Sequence, residues 1–185
     1  MRHPESPIFK LTQGQINEAM ELMMVRVLFV CMGNICRSPL AHGFFEQLIE
    51  QESLQAHVYV DSAGTHSYHV GDPPDERAQR SALSRGFDIR EQRARRVQAA
   101  DFEQFDYVLA MDYENRAHLE NLCTDDAQRQ KLKLLLTFAP HLNEHEVPDP
   151  YCGGASGFER VIDLVEEASY GLLKDIQLNH LKRDA

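Results

Sequence analysis

Long apolar runs and a surplus of basic residues are both missing from this chain. No hydrophobic segment approaches the roughly 20 residues that a membrane-spanning helix needs, so we expect no membrane insertion. Lysine and arginine total 19 against 29 aspartate and glutamate, which gives a formal net charge of −10. A chain this acidic is a poor ligand for nucleic acid, and we expect no nucleic-acid partner.

Cysteine is scarce as well. The four cysteines are Cys31, Cys36, Cys123 and Cys152. Their spacing is not that of a zinc site, and a chain of 185 residues needs no disulfide framework. The simplest interpretation is a reduced, cytoplasmic protein with no metal and no cofactor. No internal repeat indicates more than one domain, and nothing in the sequence indicates an oligomeric state.

An extension over residues 1–24 precedes the first strand of a single domain over 25–185. The extension carries charges and lacks the apolar core of a signal peptide, so secretion is not indicated. Apolar residues recur at helical spacing over Gln13–Met24, which favours a short amphipathic helix. Three roles stay open: a docking arm, a surface helix, or a start placed too early, with Met23 or Met24 as the true beginning.

The stretch around Cys31 organises the rest of the domain. Apolar, partly β-branched residues from Val25 to Val30 predict a buried strand that stops at Cys31. Gly33 and Asn34, which tolerate positive φ, predict a tight loop. Ser38-Pro39 then has the pattern of a helix start, with Ser38 as its cap.

Such a loop is a cradle for an anion. Its backbone N–H groups converge beneath a helix N-terminus, and Arg37 adds a planar fork of donors that fits phosphate. In this field the thiol of Cys31 should ionise easily. A nucleophile inside a phosphate cradle predicts phosphoryl transfer through a phosphocysteine.

The string from Cys31 to Ser38 is Cys-Met-Gly-Asn-Ile-Cys-Arg-Ser, and it resembles the signature of the low-molecular-weight protein tyrosine phosphatase family. A Cys-x5-Arg spacing is moderately specific, and Gly-Asn-Ile-Cys inside it makes the match strong. The resemblance covers roughly residues 25–180. It implies hydrolysis of a phosphotyrosine-containing protein, with Cys31 as nucleophile and Ser38 and Cys36 in supporting roles. The phosphate-binding residues that it implies are Met32, Gly33, Asn34, Ile35, Cys36 and Arg37.

Two loops further along, Asp61–Gly71 and Val147–Gly154, are also similar to this family. In Val147-Pro148-Asp149-Pro150-Tyr151, two prolines stiffen a loop in which Asp149 can act as general acid. The resemblance assigns Asp149 that role and places His66, Tyr68 and Tyr151 as walls for the substrate ring. Relatives often have a second tyrosine where this chain has Cys152. They often have a histidine where Gln92 stands, and we expect the Gln92 amide to support Asn34 instead.

Strands that alternate with helices predict βαβ units and a parallel sheet. We expect a three-layer, flavodoxin-like α/β domain with a four-stranded parallel sheet and helices on both faces. After the strand that stops at Cys31, further strands are predicted at His57–Val60, Tyr107–Met111 and Leu132–Phe138. Predicted helices span Pro39–Gln51, Glu76–Arg85 and Gly157–Gln177, and Asp112 is the predicted cap of a further helix that ends at about Leu122. The site would lie at the carboxyl edge of the sheet.

Three alternatives stay open. A thiol-dependent arsenate reductase on the same scaffold would need a downstream cysteine pair, whereas Cys123 and Cys152 stand alone. A phosphoprotein-binding module would be expected to lose Cys31 or Asp149, and both are present. In relatives that act on phosphoarginine, the residue before the second loop cysteine is typically threonine. Ile35, which offers only apolar contact, favours an aryl ring.

Overall fold

A four-stranded parallel sheet forms the centre of the computed structural model, which describes residues 12, 14, 24–151 and 154–181. The strands lie in the order β2-β1-β3-β4. Their bounds are Val25–Cys31 for β1, Val58–Gly64 for β2, Tyr107–Ala110 for β3 and Leu132–Leu134 for β4. In the register of β1 and β2, Cys31 lies opposite Gly64, so the two strand ends meet at the carboxyl edge of the sheet.

Helices cover both faces of this sheet. They are α1 (Arg37–Gln51), α2 (Glu76–Ser84), α3 (Asp101–Gln104), α4 (Tyr113–Glu120), α5 (Asp126–Lys131) and α6 (Ala155–Ile176). Alternate residues of β1 supply two separate cores: Phe29 packs with side chains of α1, α2 and α6, and Leu28 packs with side chains of α3 and α4. The predicted three-layer α/β class with a parallel sheet is therefore confirmed.

The largest departure from the prediction is at the fourth strand. A strand was predicted over Leu132–Phe138, but β4 ends at Leu134 and a 3₁₀ turn covers Leu135–Phe138. The buried neighbours Leu135 and Leu136 both belong to the core beneath α1 and α6. A strand would have sent them to opposite faces, so the turn is what buries both in one core.

Smaller differences concern helix ends and short helices. The last helix begins at Ala155 rather than Gly157, and a π-helical turn follows it over Gln177–Leu181. The short polar helices α3 and α5 had no predicted counterpart. The predicted helix over Gln13–Met24 lies almost wholly outside the described residues. None of the helices within the described ranges combines the length and apolarity that crossing a membrane requires.

Candidate active site

The loop after β1 is fixed by backbone contacts with the end of β2. Thr65 N donates to the Cys31 carbonyl at 2.9 Å, and His66 N donates to the Met32 carbonyl at 3.0 Å. Gly64 lies so close that a Cβ on it would be 2.7 Å from the Met32 carbonyl oxygen. The loop therefore takes its shape from strand pairing and from a glycine that leaves room for it.

Asn34 holds the middle of the loop in a left-handed conformation, with φ of 57°. Its side chain is buried, and its Nδ2 donates to Ser38 Oγ and to Ser62 Oγ, both at 2.9 Å. Its Oδ1 accepts from Arg95 N at 2.9 Å. These three bonds offset the cost of positive φ, which is of order 1–3 kcal/mol for such a residue.

The expected support of Asn34 by Gln92 was wrong. The Gln92 amide lies over Gly43 of α1, and its Nε2 donates to the Pro39 carbonyl at 3.3 Å. The Oε1 of Gln92 is buried without a hydrogen-bond partner. The side chain that contacts Ser62, one of the partners of Asn34, is His42, whose Nδ1 lies 3.4 Å from Ser62 Oγ.

Ser38 contacts the candidate nucleophile rather than capping the helix. Helix α1 already begins at Arg37, with Cys36 as an N-cap that makes no side-chain bond, so the predicted cap at Ser38 was wrong. Ser38 Oγ lies 3.1 Å from Cys31 Sγ, and Asn34 N donates to the same sulfur at 3.3 Å. Because Ser38 Oγ accepts from Asn34 Nδ2, its single hydroxyl hydrogen can be donated either to a thiolate at Cys31 or to the Ala63 carbonyl, 3.3 Å away.

Arg37 is almost fully buried, at 3% exposure, and is held by three acceptors. Its Nη1 donates to Asp112 Oδ2 at 2.5 Å and to the Val147 carbonyl at 3.1 Å. Its Nη2 lies 3.5 Å from Asp149 Oδ2. Asp112 was predicted only as a helix cap, which it also is, since its Oδ1 accepts from Asn115 N. The position of Asp112 two residues after β3, at the edge where Cys31 ends β1, was the signal for its second role.

The loop that carries Asp149 is attached to the sheet by Val147 N, which donates to the Met111 carbonyl at 2.8 Å. The Asp149 side chain is 46% exposed, and its Oδ1 accepts from Tyr151 N at 3.0 Å. Asp149 thus faces the buried Arg37 from the open side of the site. A carboxyl group placed there can exchange protons both with a bound ester and with solvent.

A cavity of about 160 Å³ lies between the two loops. Among the described residues, its lining is formed by Cys31, Met32, Gly33, Ile35, Cys36, Arg37, Tyr68, His69, Asp149 and Tyr151. This lining brings together the predicted nucleophile, the predicted acid and two of the three predicted walls. No group of histidine, cysteine, aspartate or glutamate within the described ranges has the geometry to hold a metal ion.

The rim of this cavity differs from the prediction in its histidines. His66 is outside the lining and stacks on Tyr68, with ring centroids 5.5 Å apart. His69, which the sequence reasoning missed, lines the cavity over Gly33, and its Nδ1 lies 3.1 Å from Asp72 Oδ2. Its place next to Tyr68 in the same loop was the available signal.

The second cysteine of the loop is chemically distinct from a reactive thiol. Burial raises the pKa of the Cys36 thiol, and the nearby Asp75 and Cys31 raise it further. Cys36 therefore stays protonated at neutral pH and lines the cavity beside Cys31 as a neutral group.

Comparison with known proteins agrees with this geometry. The family model for low molecular weight phosphotyrosine protein phosphatase matches residues 26–184. A relative from Synechocystis sp., named for the same family, is 44% identical over 155 residues, which cover 82% of this chain and 96% of the relative. The low molecular weight protein-tyrosine-phosphatase YfkJ of Bacillus subtilis is 38% identical over 154 residues, covering 83% of this chain and 97% of that protein.

Solved structures give the same result. The crystal structure of a protein tyrosine phosphatase from Entamoeba histolytica aligns with a TM-score of 0.79 at 40% identity, covering 86% of this chain and 99% of that one. A Drosophila arginine phosphatase aligns with a TM-score of 0.75 at 33% identity, covering 86% of this chain and 99% of that one. With its cysteine loop, buried arginine and parallel sheet, the chain belongs to the low molecular weight phosphotyrosine protein phosphatase family.

Proposed function

We propose that this chain hydrolyses protein phosphotyrosine in two steps at Cys31. The thiolate attacks phosphorus, the bond to the phenolic oxygen breaks, and Asp149 gives that oxygen its proton. Asp149 then takes a proton from water, which attacks the phosphocysteine and releases phosphate and the thiolate. The observation that carries this proposal is the single 160 Å³ cavity that Cys31, Arg37 and Asp149 share.

Stabilisation of the transferred phosphoryl group falls to the loop amides from Met32 to Arg37 and to the Arg37 guanidinium. Arg37 is already aligned by Asp112 and the Val147 carbonyl. A donor held in place before the reaction needs no reorganisation as charge develops, which is the usual source of the largest electrostatic contribution. Ser38, 3.1 Å from the sulfur, is placed to stabilise the thiolate as it leaves phosphorus.

An aryl phosphate is favoured over phosphoarginine by the side chains around the cavity. Ile35, Tyr68 and Tyr151 line it with apolar and aromatic surface, and Ile35 has no hydroxyl to pair with a guanidinium. Leaving the donors of a guanidinium unpaired on binding costs free energy, so such a site discriminates against it. A seryl phosphate is too short to keep contact with the rim while it reaches Cys31.

We also infer that the site is sensitive to oxidation and that the protein works in a reducing, cytoplasmic setting. Cys31, Cys36 and Cys123 are free thiols. Hydrogen peroxide would transfer one oxygen to the Cys31 thiolate, which gives the sulfenic acid and releases hydroxide. The Cys36 sulfur would then attack the Cys31 sulfur, and the hydroxyl group would leave with the Cys36 proton as water, which completes the disulfide. A dithiol reductant would reverse the change.

The test compares wild type with Cys31→Ser on peptides that carry phosphotyrosine, phosphoserine or phosphoarginine. Cys123→Ser is the matched control, because Cys123 is buried in the opposite core. We expect Cys31→Ser alone to lose turnover while it retains weak binding of inorganic phosphate. Turnover by Cys31→Ser within about tenfold of wild type, a barrier change of only ~1.4 kcal/mol, would refute the nucleophile assignment. A wild-type preference for phosphoarginine would refute the substrate class.

A further inference from the structure

Arg77 lies on α2, outside the cavity lining, and connects the phosphate loop to the loop of the general acid. Its guanidinium binds Asp75 through two bonds, from Nε to Oδ1 at 3.0 Å and from Nη2 to Oδ2 at 2.8 Å. The remaining nitrogen, Nη1, donates to the Tyr151 carbonyl at 3.1 Å. The same group lies 5.4 Å from the ring centroid of Tyr151 and 5.0 Å from that of Phe158.

Asp75 fixes the other end of this connection. Its backbone N donates to the Ile35 carbonyl of the phosphate loop at 2.8 Å, and its Oδ1 accepts from Arg77 N as the N-cap of α2. The hydrogen bond from the Arg77 side chain lowers the pKa of the Asp75 carboxyl, so Asp75 stays ionised and remains bound to the guanidinium.

Asp149 depends on this connection for its orientation. Its Oδ1 is held by Tyr151 N, two residues along, and its Oδ2 lies 3.5 Å from Arg37 Nη2. The carbonyl of that same Tyr151 is what Arg77 binds. Pro150 lies between them and packs against Gly157 at the start of α6, where a Cβ would be 3.4 Å from the proline ring.

We propose that Arg77 is a positioning residue for the general acid, holding Tyr151 so that the carboxyl group of Asp149 faces the leaving oxygen. The proposal rests on the proposed function, because it assigns Arg77 a part in protonating that oxygen. Arg77 does not touch the substrate. It acts through the peptide unit and the ring of Tyr151, and it sets the distance between the acid loop and the phosphate loop through Asp75.

The planar fork of arginine is required for this task. One guanidinium binds a carboxylate in two places, reaches a carbonyl and lies against two rings, whereas a lysine ammonium is a point charge without a flat face. A neighbour on the same helix shows the contrast. The Arg80 side chain is 68% exposed and lies 3.6 Å from the Glu76 carboxylate, which makes Arg80→Met the matched control.

The experiment measures kcat/KM for phenyl phosphate, a poor leaving group, and for 4-nitrophenyl phosphate, a good one. The parameter kcat/KM includes all steps up to breakage of the phosphorus–oxygen bond. It therefore reports the contribution of the general acid even where a later step limits kcat. General acid catalysis raises rates by about 10²–10⁴-fold, and a wrongly oriented acid should lower kcat/KM for phenyl phosphate by about tenfold. We expect Arg77→Met to lose about tenfold on phenyl phosphate and less than about threefold on 4-nitrophenyl phosphate, and Arg80→Met to match wild type.

A double-mutant cycle separates positioning from general damage to the fold. In an Asp149→Ala background, Arg77→Met should cause no further loss on phenyl phosphate, because there is no acid left to position. Equal losses on the two substrates, or a full additional loss without Asp149, would overturn the proposal. Should Arg77→Met fail to fold, Arg77→Lys is put through the same cycle with the same expectations. Wild type inactive on both esters would instead overturn the proposed function itself.

Discussion

Replacing His42 by glutamine should make the protein less sensitive to acid. The ring of His42 lies on α1 with only 14% of its side chain exposed. Its surroundings are the Ser62 hydroxyl, 3.4 Å from Nδ1, the Glu46 carboxylate, 3.7 Å from Nε2, and the charges of Asp61 and Arg95. Burial lowers the pKa of His42 to about 4, although Asp61 acts in the opposite direction.

The sign of the effect follows from where the proton binds. Between about pH 6.5 and about pH 4 the unfolded chain protonates His42 while the folded chain keeps it neutral. Stability is therefore lost as the pH falls through this window, and no more is lost below it, where both states carry the proton. A difference of two and a half pKa units at ~1.36 kcal/mol each sets an upper limit of about 3.4 kcal/mol on the loss in the free energy of unfolding that His42 causes across this window.

The assay is urea unfolding at a series of pH values from 7.5 to about 4, followed for wild type and His42→Gln. Acid also protonates carboxylates that the two proteins share, so the difference between their curves isolates the contribution of His42. His145→Gln, at an exposed site, controls for the removal of a solvated imidazole. If wild type and His42→Gln lose stability in parallel between pH 7 and pH 4, the account of His42 as a buried neutral ring is refuted.

Three further outcomes are expected. Peroxide should inactivate wild type reversibly, whereas Cys36→Ser should recover poorly with a dithiol reductant; full recovery of the variant would show that Cys36 does not capture the oxidised Cys31. Asp112→Asn, which keeps a hydrogen bond to Arg37 but removes the charge, should lower kcat/KM by about 10-fold, since a charge-assisted bond is worth about 1.5–3 kcal/mol; unchanged kinetics would contradict its aligning role. Ile35→Thr should raise turnover of phosphoarginine peptides relative to phosphotyrosine peptides, and an unchanged ratio would argue against Ile35 as a selectivity residue.

The part of the site that the residues themselves predicted is contiguous in the chain, whereas Asp149, Tyr68 and Tyr151 were expected from the resemblance to the family. Cys31 and Arg37 belong to one loop and one helix start, so their spacing alone places them around a common anion. The parallel sheet was predictable for a similar reason, because each strand is a short apolar run that alternates with an amphipathic helix. The strands and helices that these local patterns predicted are the ones that build the parallel sheet and its covering helices.

The residues that were missed are those whose roles arise only from tertiary contact. Asp112 fits the pattern of a helix cap, and although its place after the third strand puts it at the same sheet edge as Cys31, only the tertiary contact shows that Arg37 binds it. Arg77 resembles any other arginine on an exposed helix until the Tyr151 loop is in place. The wrong expectation for Gln92 has the same origin, because its amide could pair equally well with several groups and packing against α1 decided which.

The seating of the cysteine loop against β2 also determines when reactivity appears during folding. The loop takes its shape from the Thr65 and His66 amides and from the close approach of Gly64, all of which lie beyond α1 in the chain. These contacts exist only after β2 has paired with β1, on the far side of that helix in the chain. This pairing is non-local, so the entropy of loop closure is lost before the strand contacts stabilise the structure. On the ribosome, or in a locally unfolded molecule, Cys31 is thus a thiol without its surrounding donors. The donors around Cys31 therefore come together when β1 pairs with β2, and loss of that strand pairing removes them.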